Sequence, residues 1–457
     1  MEKALLVAVQ TPDINAADNL ASLAELARLV HTLGYQVVGQ LSQKQGSTKK
    51  SNVVGEGMLK KIATWTDGPG VVGPMVVRKK SKAAERFGKE KEEEVDEETE
   101  EAVEGEEEEL QAPKEQAQIV IFDCDLSPSQ LRNLESAAGV KVLDRTGVII
   151  EIFSRHARTK SARLQVEIAR LTYLAPRLRE TGGGEDRGGG GVGGKGSGET
   201  SLELDKRQIR DKIKELKGQL QAVNNEHLVR RSRRDQEITV ALVGYTNAGK
   251  SSLMRALTGS EVLIADKLFA TLDTTIRPLF PESRPKILIS DTVGFIKKLP
   301  HDLVASFKST LDEALNASLL LYVVDSSDPS FRSQLGVTQS VLSEVGVTDT
   351  PTLLILNKKD NLSNEQVQAL HNEFPEAVLI STRDKVDVKN LREKIIEHFE
   401  EDMIDLDLLI PFNVQGAIGE VRKNLKVLQE SYSETGSLLK VRGNEEKISQ
   451  IKKKFNL

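Results

Sequence analysis

Cysteine is nearly absent from the 457 residues: the lone Cys124 forbids an internal disulfide, and no cluster of Cys and His has metal-ligand spacing. That usage points to a reducing compartment, with the cytoplasm as the expected setting, and away from structural zinc. Aromatic residues make up only 4% of the chain, too few for a broad platform on which bases would stack. Long apolar runs are missing as well. Nothing approaches the roughly 18 consecutive apolar residues of a spanning helix, so no membrane insertion is expected. The apolar stretch Ala4 to Val9 is too short for a signal peptide and reads as a first buried strand.

What remains is an ordinary globular composition, 38% hydrophobic and 29% charged, in a chain long enough for two or three domains. The net charge of -6 is unevenly spread: residues 90–109 hold fourteen Asp and Glu against one Lys, or -13, and taking -13 from -6 leaves +7 on the rest. A mildly basic body bears on the question of a polyanionic partner. The acidic run, within an insertion at about 80–117, reads as a solvated, disordered segment or as an electrostatic mimic of nucleic acid that covers a basic surface.

Strand-like and helix-like stretches alternate from Ala4 to Val9, Leu20 to Val30 and Tyr35 to Leu41. After the insertion the pattern resumes with a strand at Gln118 to Asp123, a short helix capped by Ser127 and a strand at Lys141 to Leu143, which makes 1–160 an N-terminal α/β domain. Helical spacing at Leu164, Ile168, Leu171, Leu174 and Leu178 leads to eleven glycines within residues 182–198. Ile209, Ile213, Leu216, Leu220 and Val223 then repeat in steps of four and three, the spacing of a helix packed along a seam. Residues 161–235 are therefore read as a helical hairpin with a glycine-rich loop; the glycines also fit an inert linker. Residues 236–400 alternate apolar strands with amphipathic helices, the pattern of a doubly wound, mostly parallel sheet, and 401–457 form a small α+β domain.

Directly after the strand Ile238 to Val243 stands Gly244-Tyr245-Thr246-Asn247-Ala248-Gly249-Lys250-Ser251, a full match to the phosphate-binding P-loop in its strand-to-helix setting. Backbone N–H groups freed by the glycines wrap phosphates, Lys250 reaches the β/γ oxygens, and Ser251 ligates Mg2+. Asp291-Thr292-Val293-Gly294 follows another apolar strand; Asp291 is expected to hold the metal through water and Gly294 N–H to touch the γ-phosphate. Asn357-Lys358-Lys359-Asp360 selects guanine, because an aspartate carboxylate accepts from N1–H and the 2-amino group, donors that adenine lacks at those positions. Ser381-Thr382-Arg383 stands where a backbone contact to guanine O6 is made. Between the P-loop and Asp291, Leu268-Phe269-Ala270-Thr271-Leu272-Asp273 reads as switch I, with Thr271 as the second metal oxygen and Thr275 as runner-up. The residue after Gly294 is Phe295, where many GTPases carry a glutamine that orients water, so slow intrinsic hydrolysis is expected.

These strings, together with Leu143-Asp-Arg-Thr-Gly-Val-Ile-Ile-Glu-Ile-Phe153, Arg155-His-Ala-Arg158, Leu299-Pro-His-Asp-Leu303 and Gly198-Glu-Thr-Ser-Leu-Glu203, resemble the HflX family of ribosome-associated GTPases over nearly the whole length. The resemblance implies an N-terminal α/β domain, a helical hairpin, a G domain and a small C-terminal domain. It also implies GTP hydrolysis coupled to the large ribosomal subunit, with the glycine loop reaching toward its rRNA, and a role in subunit dissociation under stress. The acidic insertion is longer than the family's usual loop, and Thr382 replaces its usual alanine. Arg155, Arg158, Lys160 and Arg163, and Arg230, Arg231, Arg233 and Arg234, are the basic clusters that would meet RNA. A nucleotide-gated scaffold with negligible hydrolysis is the alternative reading; a tRNA-modification GTPase lacks its partner-domain signatures. A monomer is expected, since no long unpaired apolar helix asks for a partner.

Overall fold

The computed structural model describes residues 2–49, 51–72, 115–178, 201–232, 237–259, 268–269, 274–298, 313–347, 349–401 and 403–457, without the side chains of 201–202 and 227–232. Most of the acidic insertion, the glycine loop at 182–198, Ala270 to Asp273 of switch I and Leu299 to Leu303 lie outside them. The chain divides into two compact units, Met1–Ile149 and Ile150–Leu457.

In the first unit β1 (Lys3–Gln10), β2 (Gln36–Lys44), β3 (Ile119–Phe122) and β4 (Lys141–Asp144) form a parallel sheet in the order β2-β1-β3-β4. The central strands β1 and β3 are covered on both faces, which is why they read as unbroken apolar runs and not as alternations. Leu5, Val7, Val120 and Phe122 pack with Leu59 and Ile62 of α2 (Glu56–Thr66) and Leu134 of α3 (Pro128–Ala138). Helix α3 begins in a capping box: Ser127 accepts from Gln130 N while the Gln130 side chain accepts from Ser127 N, and Gly139 closes the helix in the left-handed region.

The carboxyl end of this sheet holds a buried charge network. Arg145, 1% exposed at the start of α4 (Arg145–His156), donates to Asp123 at 2.6 Å and to Glu25 at 2.8 Å; Glu25 projects from α1 (Ala16–Thr32). Ser22 Oγ also donates to Asp123, and Asp144 accepts from Leu126 N and Gly147 N. The Asp144-Arg145 dipeptide of the family string is thus part of the architecture of its own domain.

The second unit takes in the last residues of α4, then α5 (Lys160–Leu174) and the 32-residue α6 (Ser201–Ser232), which pack side by side through Leu164, Ile168 and Leu171 on one and Ile213, Leu216, Leu220 and Val223 on the other. The next sheet runs β10 (Val378–Leu379), β9 (Thr352–Asn357), β8 (Leu319–Asp325), β5 (Ile238–Val243), β7 (Ile287–Asp291), β6 (Thr275–Pro278). All neighbours are parallel except β6, which runs against β7. Helices α7 (Lys250–Thr258), α8 (Phe331–Val345), α9 (Asn364–Glu373) and α10 (Lys385–Glu400) accompany it, with Leu253, Met254, Leu391 and Ile395 in one core layer.

Last comes an antiparallel sheet of order β11-β13-β12, from β11 (Ile404–Pro411), β12 (Lys426–Tyr432) and β13 (Gly436–Gly443), with α11 (Ala417–Asn424) and α12 (Glu445–Phe455). Helix α11 ends at Asn424 and β12 starts at Lys426, because β13 pairs with the chain from there on. Glu400 at the end of α10 accepts from Lys426 and from Arg442, which ties this sheet to the preceding helix. Among the described residues no helix is long and apolar enough to cross a membrane.

Candidate nucleotide site

The site assembles where β5, β7, β8 and β9 end, the edge at which parallel α/β sheets open their ligand crevice. Strand β5 hands the chain to the loop 244–249, and α7 starts at Lys250. Two glycines are required by their surroundings. At Gly244 a Cβ would stand 2.1 Å from Val323 O of the neighbouring strand, and at Gly249, with φ of +96°, it would stand 2.2 Å from Asn357 Nδ2. Both contacts let backbone come closer than any side chain allows.

Lys250 is 6% exposed, and its Nζ donates to Gly244 O at 3.0 Å and Tyr245 O at 2.8 Å. Burial pushes its pKa down to about 8, against a smaller upward pull from Asp291. Ser251 Oγ donates to Asp291 Oδ2 at 2.7 Å. An alcohol and a carboxylate brought together beside Lys250 make an all-oxygen donor set, the kind a hard divalent cation takes. Thr292 turns back into the fold, donating to Leu242 O at 2.7 Å.

The 291–298 segment is joined to the phosphate loop by backbone. Phe295 N donates to Gly244 O at 3.1 Å, Thr246 N donates to Phe295 O at 2.8 Å, and Lys297 N donates to the Tyr245 hydroxyl at 2.6 Å. The Phe295 side chain is itself buried.

At the end of β9, Asn357 bridges two loops: Nδ2 donates to Ala248 O at 2.9 Å and Oδ1 accepts from Thr382 N at 3.3 Å. Asp360 accepts from Ser381 Oγ at 2.7 Å and from Arg383 at 3.2 Å; the Ser381 bond first, then the Arg383 charge, holds its carboxyl below the usual range, so it is ionised. Lys358, in a left-handed conformation, pairs with Asp325 at 2.6 Å, and Asp387 accepts from Ser381 N and from Lys359.

The structure therefore brings together Gly244, Lys250, Ser251, Asp291 and Gly294 at one end, and Asn357, Asp360, Ser381 and Thr382 at the other. Asn247 is exposed on the loop between them. Thr271, Ala270, Leu272 and Asp273 lie outside the described residues, while Thr275 sits in β6 opposite Asp291. The Phe269 ring is buried and meets Phe153 edge to face, with centroids 4.5 Å apart. Asp325, Asp387 and the Tyr245 hydroxyl are supports that sequence reading missed. Their partners are distant in the chain or are backbone atoms, which leave no local signature.

Three family models match the chain: "GTP-binding GTPase N-terminal" over 20–76 and 64–154, "GTP-binding GTPase Middle Region" over 156–234, and "50S ribosome-binding GTPase" over 239–358. The chain is 54% identical over 450 residues to GTPase HflX of Gluconacetobacter diazotrophicus, covering 98% of this chain and 97% of that one. It is 36% identical to GTPase HflX of Caldanaerobacter subterraneus, covering 96% and 90%, and 40% identical to that of Escherichia coli, covering 65% and 70%. Among solved structures, a GTP-binding protein of Sulfolobus solfataricus in complex with GDP is 23% identical, with a TM-score of 0.41 and coverage of 87% and 98%. With its P-loop between strand and helix, its mostly parallel sheet and relatives matching along nearly all its length, the chain belongs to the HflX family of GTPases.

Proposed function

We propose that this GTPase binds the large ribosomal subunit through rRNA and couples GTP hydrolysis to ribosome dissociation, recycling or assembly under stress, as a cytoplasmic monomer. The observation that carries the reading is that residues 239–358, which match a family described as a 50S ribosome-binding GTPase, are the residues that bring Lys250, Ser251 and Asp291 together. Ser251 and switch I Thr271 would hold Mg2+, with Asp291 supporting the cation from beside Ser251. When bound, the cation would supply neutralisation of the charge that develops on the phosphates, while Lys250 and the loop N–H groups hold the β/γ oxygens. Asp360 reads guanine, with Thr382 N–H near its O6.

RNA contact falls to α5 and α6. Helix α6 buries only Leu216 and Val223 among its described side chains, and basic residues outnumber acidic ones along it, Lys206, Arg207, Arg210, Lys214 and Lys217 among them. A long helix so little buried suits extension toward a polyanion. The test is co-sedimentation with large ribosomal subunits in GTP and in GDP across a salt series. Nucleotide-dependent binding that weakens with salt supports the reading; binding indifferent to both contradicts it.

A further inference from the structure

Thr246 is the third residue of the phosphate loop and is 7% exposed. Its backbone is held by the bond from Thr246 N to Phe295 O, yet its Oγ1 finds no hydrogen-bond partner among the described residues. A buried hydroxyl left without a partner costs stability, and valine would fill the same volume without that cost. The side chain lies where chemistry is expected. A Cβ placed on Gly294 would stand 2.8 Å from Thr246 Cγ2, 3.0 Å from Thr246 Cα and 3.1 Å from Lys250 Nζ, so Thr246 and Lys250 stand close against Gly294 with no room for a side chain between them. The methyl packed on Gly294 restricts χ1 of a β-branched residue, and with it the place of the hydroxyl. Phe295, by contrast, is apolar and 3% exposed, and offers no hydrogen bond to water.

We propose that the Thr246 hydroxyl is a catalytic hydrogen-bonding group of GTP hydrolysis, donating to a γ-phosphoryl oxygen and accepting from the attacking water; the proposal rests on the nucleotide-site reading above. In the step, the water oxygen bonds to the γ-phosphorus while the bond from that phosphorus to the β–γ bridging oxygen breaks, and its electron pair leaves with GDP. The water proton passes to a phosphoryl oxygen of the departing phosphate, so threonine neither gains nor loses a proton. Its unsatisfied oxygen gains its partners only when the γ-phosphate and water arrive, which is the differential interaction that lowers a barrier.

The experiment compares full-length wild type, Thr246→Val and Thr246→Ser in GDP affinity, melting temperature without nucleotide, and single-turnover GTP hydrolysis. For valine the expected result is GDP affinity within about twofold, a melting temperature equal or higher, and hydrolysis slower by about tenfold or more; serine, which keeps the hydroxyl without the packed methyl, falls between. Valine hydrolysing at the wild-type rate with GDP affinity intact overturns the proposal. Valine that loses stability and GDP binding together also overturns it, since the side chain is then a packing element. A wild type that binds no GDP rejects the nucleotide-site reading itself, and the proposal with it.

Discussion

Burial holds the Lys250 ammonium at a pKa of about 8, below the ordinary 10.5, while its charge rests on two carbonyls of its own loop. Because the unfolded chain binds this proton more tightly, the nucleotide-free fold is penalised at pH below about 8 and gains stability as pH rises from there toward 10.5. Phosphate reverses the preference, since it stabilises the ammonium. GDP affinity should therefore fall by up to about tenfold per pH unit above about 8, and Lys250→Arg should flatten that slope because guanidinium stays charged; titration calorimetry between pH 7 and 9 checks both. Asp360 carries a separate expectation. Asp360→Asn should weaken GDP by roughly a hundredfold or more and raise relative affinity for xanthosine diphosphate, whose base presents an acceptor where guanine has its amino group. Nucleotide competition assays measure the exchange. At the buried network, Arg145→Met strands Glu25 and Asp123 without their countercharge and should cost about 3–5 kcal/mol in urea denaturation.

At the scale of elements, α5 and α6 are held together by a thin apolar seam, and Leu216 is one of its few buried members. Leu216→Ala should loosen the pair by about 2–3 kcal/mol, seen as faster amide exchange along α6, and weaken large-subunit binding while leaving GDP affinity unchanged. That seam is legible in the sequence because its steps of four and three are a local periodicity. The phosphate loop is legible for a similar reason: an apolar strand, two glycines, a lysine and a helix must follow one another for the anion cradle to exist. Arg145 is different. A charged residue inside an apolar string carries no local mark of being buried, and only the packing of α1 and α4 on the sheet end shows that two carboxylates wait for it. The Tyr245 hydroxyl is hidden in the same way, because its partner is the backbone of Lys297, 52 residues on. The helix at 417–424 gives way to β12 within a stretch of mixed propensity, where pairing with β13 decides the outcome.

At the scale of the molecule, a guanine-nucleotide site and a weakly buried basic helix belong to one unit, Ile150–Leu457. Phe295 supplies no polar group to the hydrolytic water, so turnover by the free protein should be slow and a partner should accelerate it. That expected coupling outweighs any single contact. Its most direct test is GTP hydrolysis at fixed Mg2+ with and without purified large ribosomal subunits, for wild type, Lys250→Ala and a variant lacking residues 182–198. Stimulation of wild type that is lost in both variants is the predicted result, while subunits that bind without raising the rate would contradict it and leave a nucleotide-gated scaffold in its place.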